Sequence, residues 1–276
     1  MEKNKEHKYI IIMRHGERID DIDFNDISNN NNDNYKSELD LYDPEITSKG
    51  ISQSFSIANQ LLKLFNINNN VKEINLFVSP FTRTILTGLN LCNELSKFIK
   101  INNKNIYIVK DLSEFCSEQN FKYNPIDNLL FYNKEKQPLL YEKYINKYIK
   151  ENNYYFKKLE NYNDNYLIYP EDFNNVYNRY NEIGKYIFNI IKNINYNNND
   201  NNDNNYINNE NNNNIIIINI IVTHGYGVQI ITENYLNLIE NKEKDNNIYM
   251  IDFCYSFCFD MDYNNKLNYI DLLKPI

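Results

Sequence analysis

Arginine is nearly absent from this chain. Only four of its 276 residues are Arg, and lysine supplies the rest of the positive charge. Histidine is scarcer still, at three, and tryptophan is missing altogether. The sequence is instead rich in Asn, Ile, Tyr and Lys, as expected of a strongly A+T-biased coding sequence. Under such a bias Arg drifts to Lys wherever a point charge suffices. The positions that stay Arg are then those needing a planar, bidentate fork, whose usual partner is phosphate. Arg14 and Arg18 lie in Met13-Arg14-His15-Gly16-Glu17-Arg18, Arg83 in Ser79-Pro80-Phe81-Thr82-Arg83-Thr84, and Arg179 stands alone. His15 and His224 fall in Arg-His-Gly and Thr-His-Gly at the ends of apolar runs. His7 belongs to a charged amino-terminal tail and is read as solvated.

There is no excess of positive charge either. Net charge is -8 and the sequence pI is about 5.1. A general nucleic-acid binder would need a basic face, so that class is excluded. Any anion site must be a local positive pocket in a negative field. The four cysteines form no CxxC pair and have no His at metal-ligand spacing, so free buried thiols in a reducing compartment are expected. Cys254 and Cys258 would share one face of a strand, where a disulfide does not fit. The first apolar run is too short for a signal h-region or a membrane span, and a cytoplasmic protein is expected. No internal repeat is visible. The 25 tyrosines lack basic interleaving and read as packing residues, not a base-stacking platform.

What is present alternates between strand and helix signals. Residues 9–13 form an apolar run of the kind found in fully buried parallel strands. Residues 25–40 are polar and Asn-rich and read as a loop. A helix follows Asp43-Pro44-Glu45-Ile46-Thr47-Ser48-Lys49-Gly50, with Thr47 or Ser48 as N-cap and an apolar face of Ile51, Phe55, Ala58, Leu62 and Phe65. Residues 74–78 give a second strand, then a helix through Ile85, Leu89, Cys92, Leu95 and Ile99. Residues 106–109 give a third strand, ending at Asp111-Leu112-Ser113-Glu114. Residues 115–170, interrupted by Pro125, Pro138 and Pro170, read as a cap insertion along one edge of the site. A long helix spans 171–194, with a stripe of Phe173, Val176, Tyr177, Tyr180, Ile183, Ile187, Ile190 and Ile191. It carries Arg179, for which a structural salt bridge or a solvated position is expected. Residues 195–214 are mostly Asn and Asp and read as a disordered loop. Residues 215–222 form a fourth strand ending at Thr223-His224-Gly225, and 248–261 and 267–272 supply one or two more. The expectation is a single α/β domain over 1–276, with a mainly parallel sheet flanked by helices. Ligands of such sheets sit at the carboxyl ends of the strands, where each motif falls.

These residue types suit a phosphate monoester. Arg14, Arg18 and Arg83 can neutralise and orient the nonbridging oxygens. A neutral His15 can attack phosphorus in line. Protonated His224 can donate to the same oxygens. A carboxylic acid could protonate the leaving oxygen and then activate water. Glu114 is the leading candidate, with Glu17, Glu118 and Asp111 as alternatives.

The arrangement resembles the histidine phosphatase, or phosphoglycerate mutase-like, superfamily. The similar stretches are Arg14-His15-Gly16-Glu17, Asp43 to Gln53, Ser79 to Gly88 and Val222-Thr223-His224-Gly225, in the family's order and roughly its spacing. Arg18 followed by Ile19-Asp20, and Leu112-Ser113-Glu114-Phe115, are closest to the branch of the suppressor of T-cell receptor signalling phosphatase domain. The resemblance implies a phosphoglycerate mutase-like fold and a metal-independent phosphatase. His15 would be the nucleophile, Arg14, Arg18, Arg83 and His224 the phosphate pocket, and Glu114 the general acid. It implies no cofactor. The expected substrate is a phosphorylated small molecule or phosphoprotein, and a homodimer paired through a sheet edge is expected. A cofactor-dependent phosphoglycerate mutase is the alternative. The family's mutases, however, carry Ser-x-Trp-Asn after Arg-His-Gly-Glu and Leu-Asn-Glu-Arg-His-Tyr-Gly around the acid. This chain has Arg18-Ile19-Asp20 and Ser113-Glu114-Phe115-Cys116 there. The acid-phosphatase branch would have Pro at Asp20 and Asp at Gly225. A weakly active phospho-ligand scaffold, and an interaction protein working through the Tyr-rich cap, are the remaining readings.

Overall fold

The computed structural model describes residues 6–21, 43–65, 71–131, 138–162, 166–194, 215–239, 251–262 and 264–276. The Asn-rich segment 195–214, the 25–40 loop and residues 248–250 lie outside them. The described elements run β1 (Glu6–Arg14), α1 (Ser48–Leu64), β2 (Val71–Val78), α2 (Thr82–Leu95), β3 (Ile101–Ile108), α3 (Pro138–Tyr144), β4 (Tyr155–Lys157), α4 (Phe173–Asn193), β5 (Ile215–Thr223), α5 (Gly225–Leu238), β6 (Ser256–Met261) and β7 (Leu267–Leu273). The strands make one seven-stranded sheet in the order β4-β3-β2-β5-β1-β6-β7. The pairs from β4 to β1 are parallel, and β6 and β7 add an antiparallel edge. This is the mainly parallel α/β architecture expected from the alternation.

The apolar runs are continuous because helices cover both sheet faces. Successive side chains point to opposite faces, so Ile11 and Met13 join Leu76, Val78 and Val222 against α1 and α2. Ile10 and Ile12 join Phe77 and Ile221 against α4 and α5. All of these are fully buried, and each contributes roughly 1.5–3 kcal/mol of transfer free energy. One polar line crosses the sheet. Asn105 Nδ2 donates to Asn75 Oδ1 at 3.0 Å, Asn75 Nδ2 to Asn219 Oδ1 at 3.1 Å, and Asn219 Nδ2 to the Tyr9 carbonyl at 3.3 Å. The three Asn residues are opposite one another in the ladder, so the line holds only in this register.

Helix rotation departs from the simple stripes in two places. On α1 the buried face is Ser54, Ile57, Ala58 and Leu61, with Ile51 and Leu62 only partly buried. The cause is at its start. A Cβ on Gly16 would lie 2.8 Å from the Gly50 carbonyl oxygen, and one on Gly50 would lie 2.7 Å from that of Glu17. This backbone contact between the β1 turn and α1 sets the helix rotation. Thr47 is the N-cap, accepting from Gly50 N at 2.9 Å. On α4, Phe173 and Tyr177 are exposed at the first turn, whereas Val176, Tyr180, Ile183, Ile187 and Ile191 are buried.

The 115–170 stretch divides. Phe121, Ile126 and Leu129 pack with Phe81, Cys116 and Leu167 in a small separate core at the carboxyl edge of the sheet. After α3 and a π-helical turn (Ile145–Lys150), Tyr144, Ile145 and Ile149 join the main core, and β4 lengthens the sheet beside β3. All four cysteines are free and buried. Among the described residues, no helix is long and apolar enough to cross a membrane.

Candidate active site

Ladder register brings the central strand ends level, Arg14 opposite Thr223 and Val78 opposite both Val222 and Ile108. Three further backbone bonds extend that alignment past the strands: His15 N to Thr223 O, Ser79 N to Val222 O, and Val109 N to Val78 O. His15, Ser79, His224 and the segment leading to Glu114 therefore emerge along one edge. α2 and α5 begin there too, and their amino ends favour negative charge.

His15 is 1% exposed. Its Nδ1 is 2.8 Å from the Gly16 carbonyl oxygen. A carbonyl only accepts, so the proton is on Nδ1 and the lone pair on Nε2. Burial, and then the charges of Arg83 and Arg14, hold the imidazole pKa well below its ordinary value. The ring is neutral near pH 7, as an attacking group must be. The turn is braced by Gly16 N donating to Thr87 Oγ1 at 2.9 Å.

His224 lies 5.2 Å from His15 between ring centroids. Its Nε2 is 2.9 Å from Ser79 Oγ, and its Nδ1 is 3.0 Å from Glu114 Oε2. Burial lowers its pKa to about 4, with Arg83 adding to the shift and Glu114 opposing it. The neutral ring therefore donates from Nδ1 to the Glu114 carboxylate and accepts from the Ser79 hydroxyl. The 3.4 Å approach of Arg83 Nη2 to Nδ1 is then a contact between two donors, not a hydrogen bond.

Arg83, from the first turn of α2, is 1% exposed and lies 4.2 Å over the Phe81 ring. Its Nη2 is 3.5 Å from Glu114 Oε2. Arg14 lies 4.3 Å over the Phe253 ring and donates to the Ile251 carbonyl. Arg83 Nε, Arg83 Nη1 and Arg14 Nε are buried with no hydrogen-bond partner among the described residues. Orphaned guanidinium donors are costly in a protein interior, and an anion would satisfy them. Desolvation would raise the Glu114 pKa, but His224 and Arg83 outweigh it and hold the carboxyl well below the usual range.

The fold thus brings together Arg14, His15, Arg83, Glu114 and His224. Arg18 stays at the margin, donating to Asp21 at 3.1 and 3.2 Å and lying 3.0 Å from Asp20. Of the alternative acids, Glu17 accepts from Thr47 and Lys49, holding α1 to the turn. Asp111 is buried and accepts from Tyr162 and Leu167 N. Glu118 lines a neighbouring cleft of about 420 Å³ with Phe115, Pro170 and Asp172. Sequence reasoning missed Phe253, Ser79 and Asp43 as parts of the site. Asp43 caps α2, taking Thr82 N at 2.7 Å and Thr82 Oγ1 at 2.8 Å. Of the two readings expected for Arg179, the salt bridge is the one found, with Nε 2.6 Å from Glu171 Oε1.

His15, Glu114 and His224 also offer ligand atoms within 4.8 Å of one another. Arg14 and Arg83 share that space, so a divalent cation would meet two fixed positive charges there.

No protein-family model matches the chain, and no curated protein matches it. Solved structures resemble it along nearly its whole length. One is phosphoserine phosphatase in complex with 3-phosphoglyceric acid from Entamoeba histolytica, at 12% identity and TM-score 0.45, covering 96% of each chain. Another is a mycobacterial glucosyl-3-phosphoglycerate phosphatase, at 9% identity and TM-score 0.41, covering 98% of this chain and 100% of that one. A third is phosphoglycerate mutase from Plasmodium falciparum, at 9% identity and TM-score 0.37, covering 96% and 90%. These are likenesses of chain trace at low identity, and the roles proposed below rest on the side-chain geometry.

Proposed function

We propose that this protein is a metal-independent phosphomonoester phosphatase of the histidine phosphatase type, acting through a phosphohistidine on His15. One observation carries the reading: a buried, neutral His15 with its Nε2 lone pair free stands beside two arginines whose buried N–H groups are unpartnered. The phosphate dianion takes the donors of Arg14 and Arg83 and displaces the Glu114 carboxylate from Arg83 and His224. Losing those partners beside a new negative charge raises the pKa of both Glu114 and His224. Glu114 then holds a proton, and His224 donates to a nonbridging oxygen. Nε2 of His15 forms the bond to phosphorus while the P–O bond to the leaving group breaks, and Glu114 delivers its proton to that oxygen. In the second half, Glu114 takes a proton from water, the water oxygen bonds to phosphorus, and the P–N bond breaks. Arg18 adds positive potential at the mouth and reaches the phosphate on leaving Asp20 and Asp21. The substrate is a phosphorylated small molecule or phosphoprotein; the net charge of -8 disfavours nucleic acid.

The test is phosphate release from p-nitrophenyl phosphate with a chelator present. Wild type should turn over, His15→Ala should not, and Arg83→Lys should lose about 10²-fold because an ammonium cannot replace the fork. A fully active Arg83→Lys would sink the assigned pocket. Phosphoglycerate interconversion without net release by wild type would favour the mutase reading instead.

A further inference from the structure

Arg179 is 0% exposed, and all five of its N–H donors are used. Two go to Glu171: Nε to Oε1 at 2.6 Å and Nη2 to Oε2 at 2.8 Å. The other three go to backbone. Nη1 donates to the carbonyls of Asp111 at 2.7 Å and Ser113 at 2.9 Å, and Nη2 to that of Glu114 at 3.1 Å. The stretch they grip is the one that carries Glu114 and has no ladder or helix of its own beyond the short turn Lys110–Leu112.

Other groups complete the grip. Thr223 Oγ1, one residue before His224, donates to Leu112 O at 2.7 Å. Tyr180 Oη donates to Ser113 O. Glu171 accepts from Cys116 N through Oε2 at 2.9 Å, and Glu171 N donates to Cys116 O at 2.9 Å. The carbonyls of residues 111–114 and 116 are therefore each fixed by α4, by β5 or by Glu171. Buried carbonyls without such partners would be costly, so the segment has one well-defined conformation here. That conformation puts Glu114 Oε2 3.0 Å from His224 and 3.5 Å from Arg83.

We propose that Arg179, clamped by Glu171, is a positioning residue for the general acid: it fixes the 111–116 segment so that Glu114 can deliver its proton to the leaving oxygen. The inference rests on the phosphatase reading and adds a residue that touches no substrate. Lysine cannot replace the fork, because its three donors cannot hold Glu171 and three carbonyls together.

Leaving groups of different basicity test it. An alkyl phosphate needs a proton at its leaving oxygen, whereas p-nitrophenolate departs as the anion. In Arg179→Lys, kcat/KM for an alkyl phosphate should fall by roughly 10²-fold, the scale of general-acid catalysis. For p-nitrophenyl phosphate it should fall no more than a few-fold. Vanadate inhibition, which reports Arg14, Arg83 and His224, should not weaken. Tyr180→Phe, which removes one bond to Ser113 O, should shift the alkyl-to-aryl ratio the same way by less and keeps the test open if Arg179→Lys does not fold. Equal losses on both substrates, weakened vanadate inhibition, or an unaltered ratio in Tyr180→Phe would overturn the positioning role. No turnover by wild type on either substrate would overturn the phosphatase reading, and this inference with it.

Discussion

Arg14 and Arg83 keep guanidinium nitrogens inside the protein without partners among the described residues, whereas Arg179 satisfies every donor it has. The scarcity of arginine pointed to all of them, on the argument that Arg persists under A+T bias where a planar fork is needed. The sequence could separate a fork proposed to bind phosphate from a structural one only by context. Arg14 ends β1 and Arg83 lies in the first turn of α2 just after β2, while Arg179 sits inside α4, far along the chain from the carbonyls it holds. Its partner Glu171, expected to open that helix, lies just before it, since Asp172 is the N-cap. The two histidines were legible, but their protonation was not, since it depends on burial. His224 has a folded pKa of about 4 against the ordinary 6.5. Between those values the unfolded chain binds a proton that the fold excludes, so this residue's contribution to stability falls as pH falls through that window. The stability gap between wild type and His224→Gln in urea should shrink by about 2 kcal/mol from pH 7 to pH 5. Asp43, whose folded pKa is raised to about 6, acts in the opposite sense below pH 6 and is common to both proteins. A gap constant with pH would show that His224 is not held neutral by burial.

At the scale of elements, the buried strands were the easiest part to read. Apolar runs at 9–13, 74–78 and 215–222 are too short for helices and too continuous for strands with one wet face. The helix faces were harder. The rotation of α1 is set by the contact between Gly16 and Gly50, which no period reveals. Residues 115–170, expected to be a cap, were hardest, because their tyrosines are spread without period and part of the stretch packs into the main core. The Asn line across β3, β2 and β5 also escaped notice, since Asn is common everywhere in this chain. Yet Asn75 and Asn219 are fully buried, and each satisfies a neighbour. Asn75→Ala would leave Asn105 and Asn219 each short of a partner. It should cost about 2–4 kcal/mol, from one to two orphaned amide groups and the lost packing. Urea unfolding would measure it. A loss below about 0.5 kcal/mol would mean that the line does not fix the register.

Over the whole molecule, the sheet has a chemical edge and a silent one. Strands β1, β2, β3 and β5 all deliver site residues at their carboxyl ends, and everything that enters β2 or β5 does so at the opposite edge. Residues 195–214 lie between Asn193, at the end of α4, and Ile215, where β5 begins. Both of these flanking elements meet at the silent edge, where β5 begins. The residues on either side of 22–42 are Asp21, which accepts from Arg18, and Asp43, which accepts from Thr82 N, and the residue after 240–250 is Ile251, whose carbonyl accepts from Arg14. Those three flanking residues lie at the pocket's own edge. The positions of these flanking residues therefore predict unequal effects. Replacing residues 197–212 with a short Gly-Ser linker should leave kcat/KM within about two-fold. Stability should change by only about 1 kcal/mol, because closure entropy varies slowly with loop length. Shortening 22–42 should instead change KM unequally across a panel of phosphomonoesters, since its described flanks Asp21 and Asp43 are held by Arg18 and by α2 at the pocket. Steady-state kinetics on both variants decide the matter. If shortening 197–212 altered KM between substrates while shortening 22–42 did not, the assignment of the two edges would be wrong.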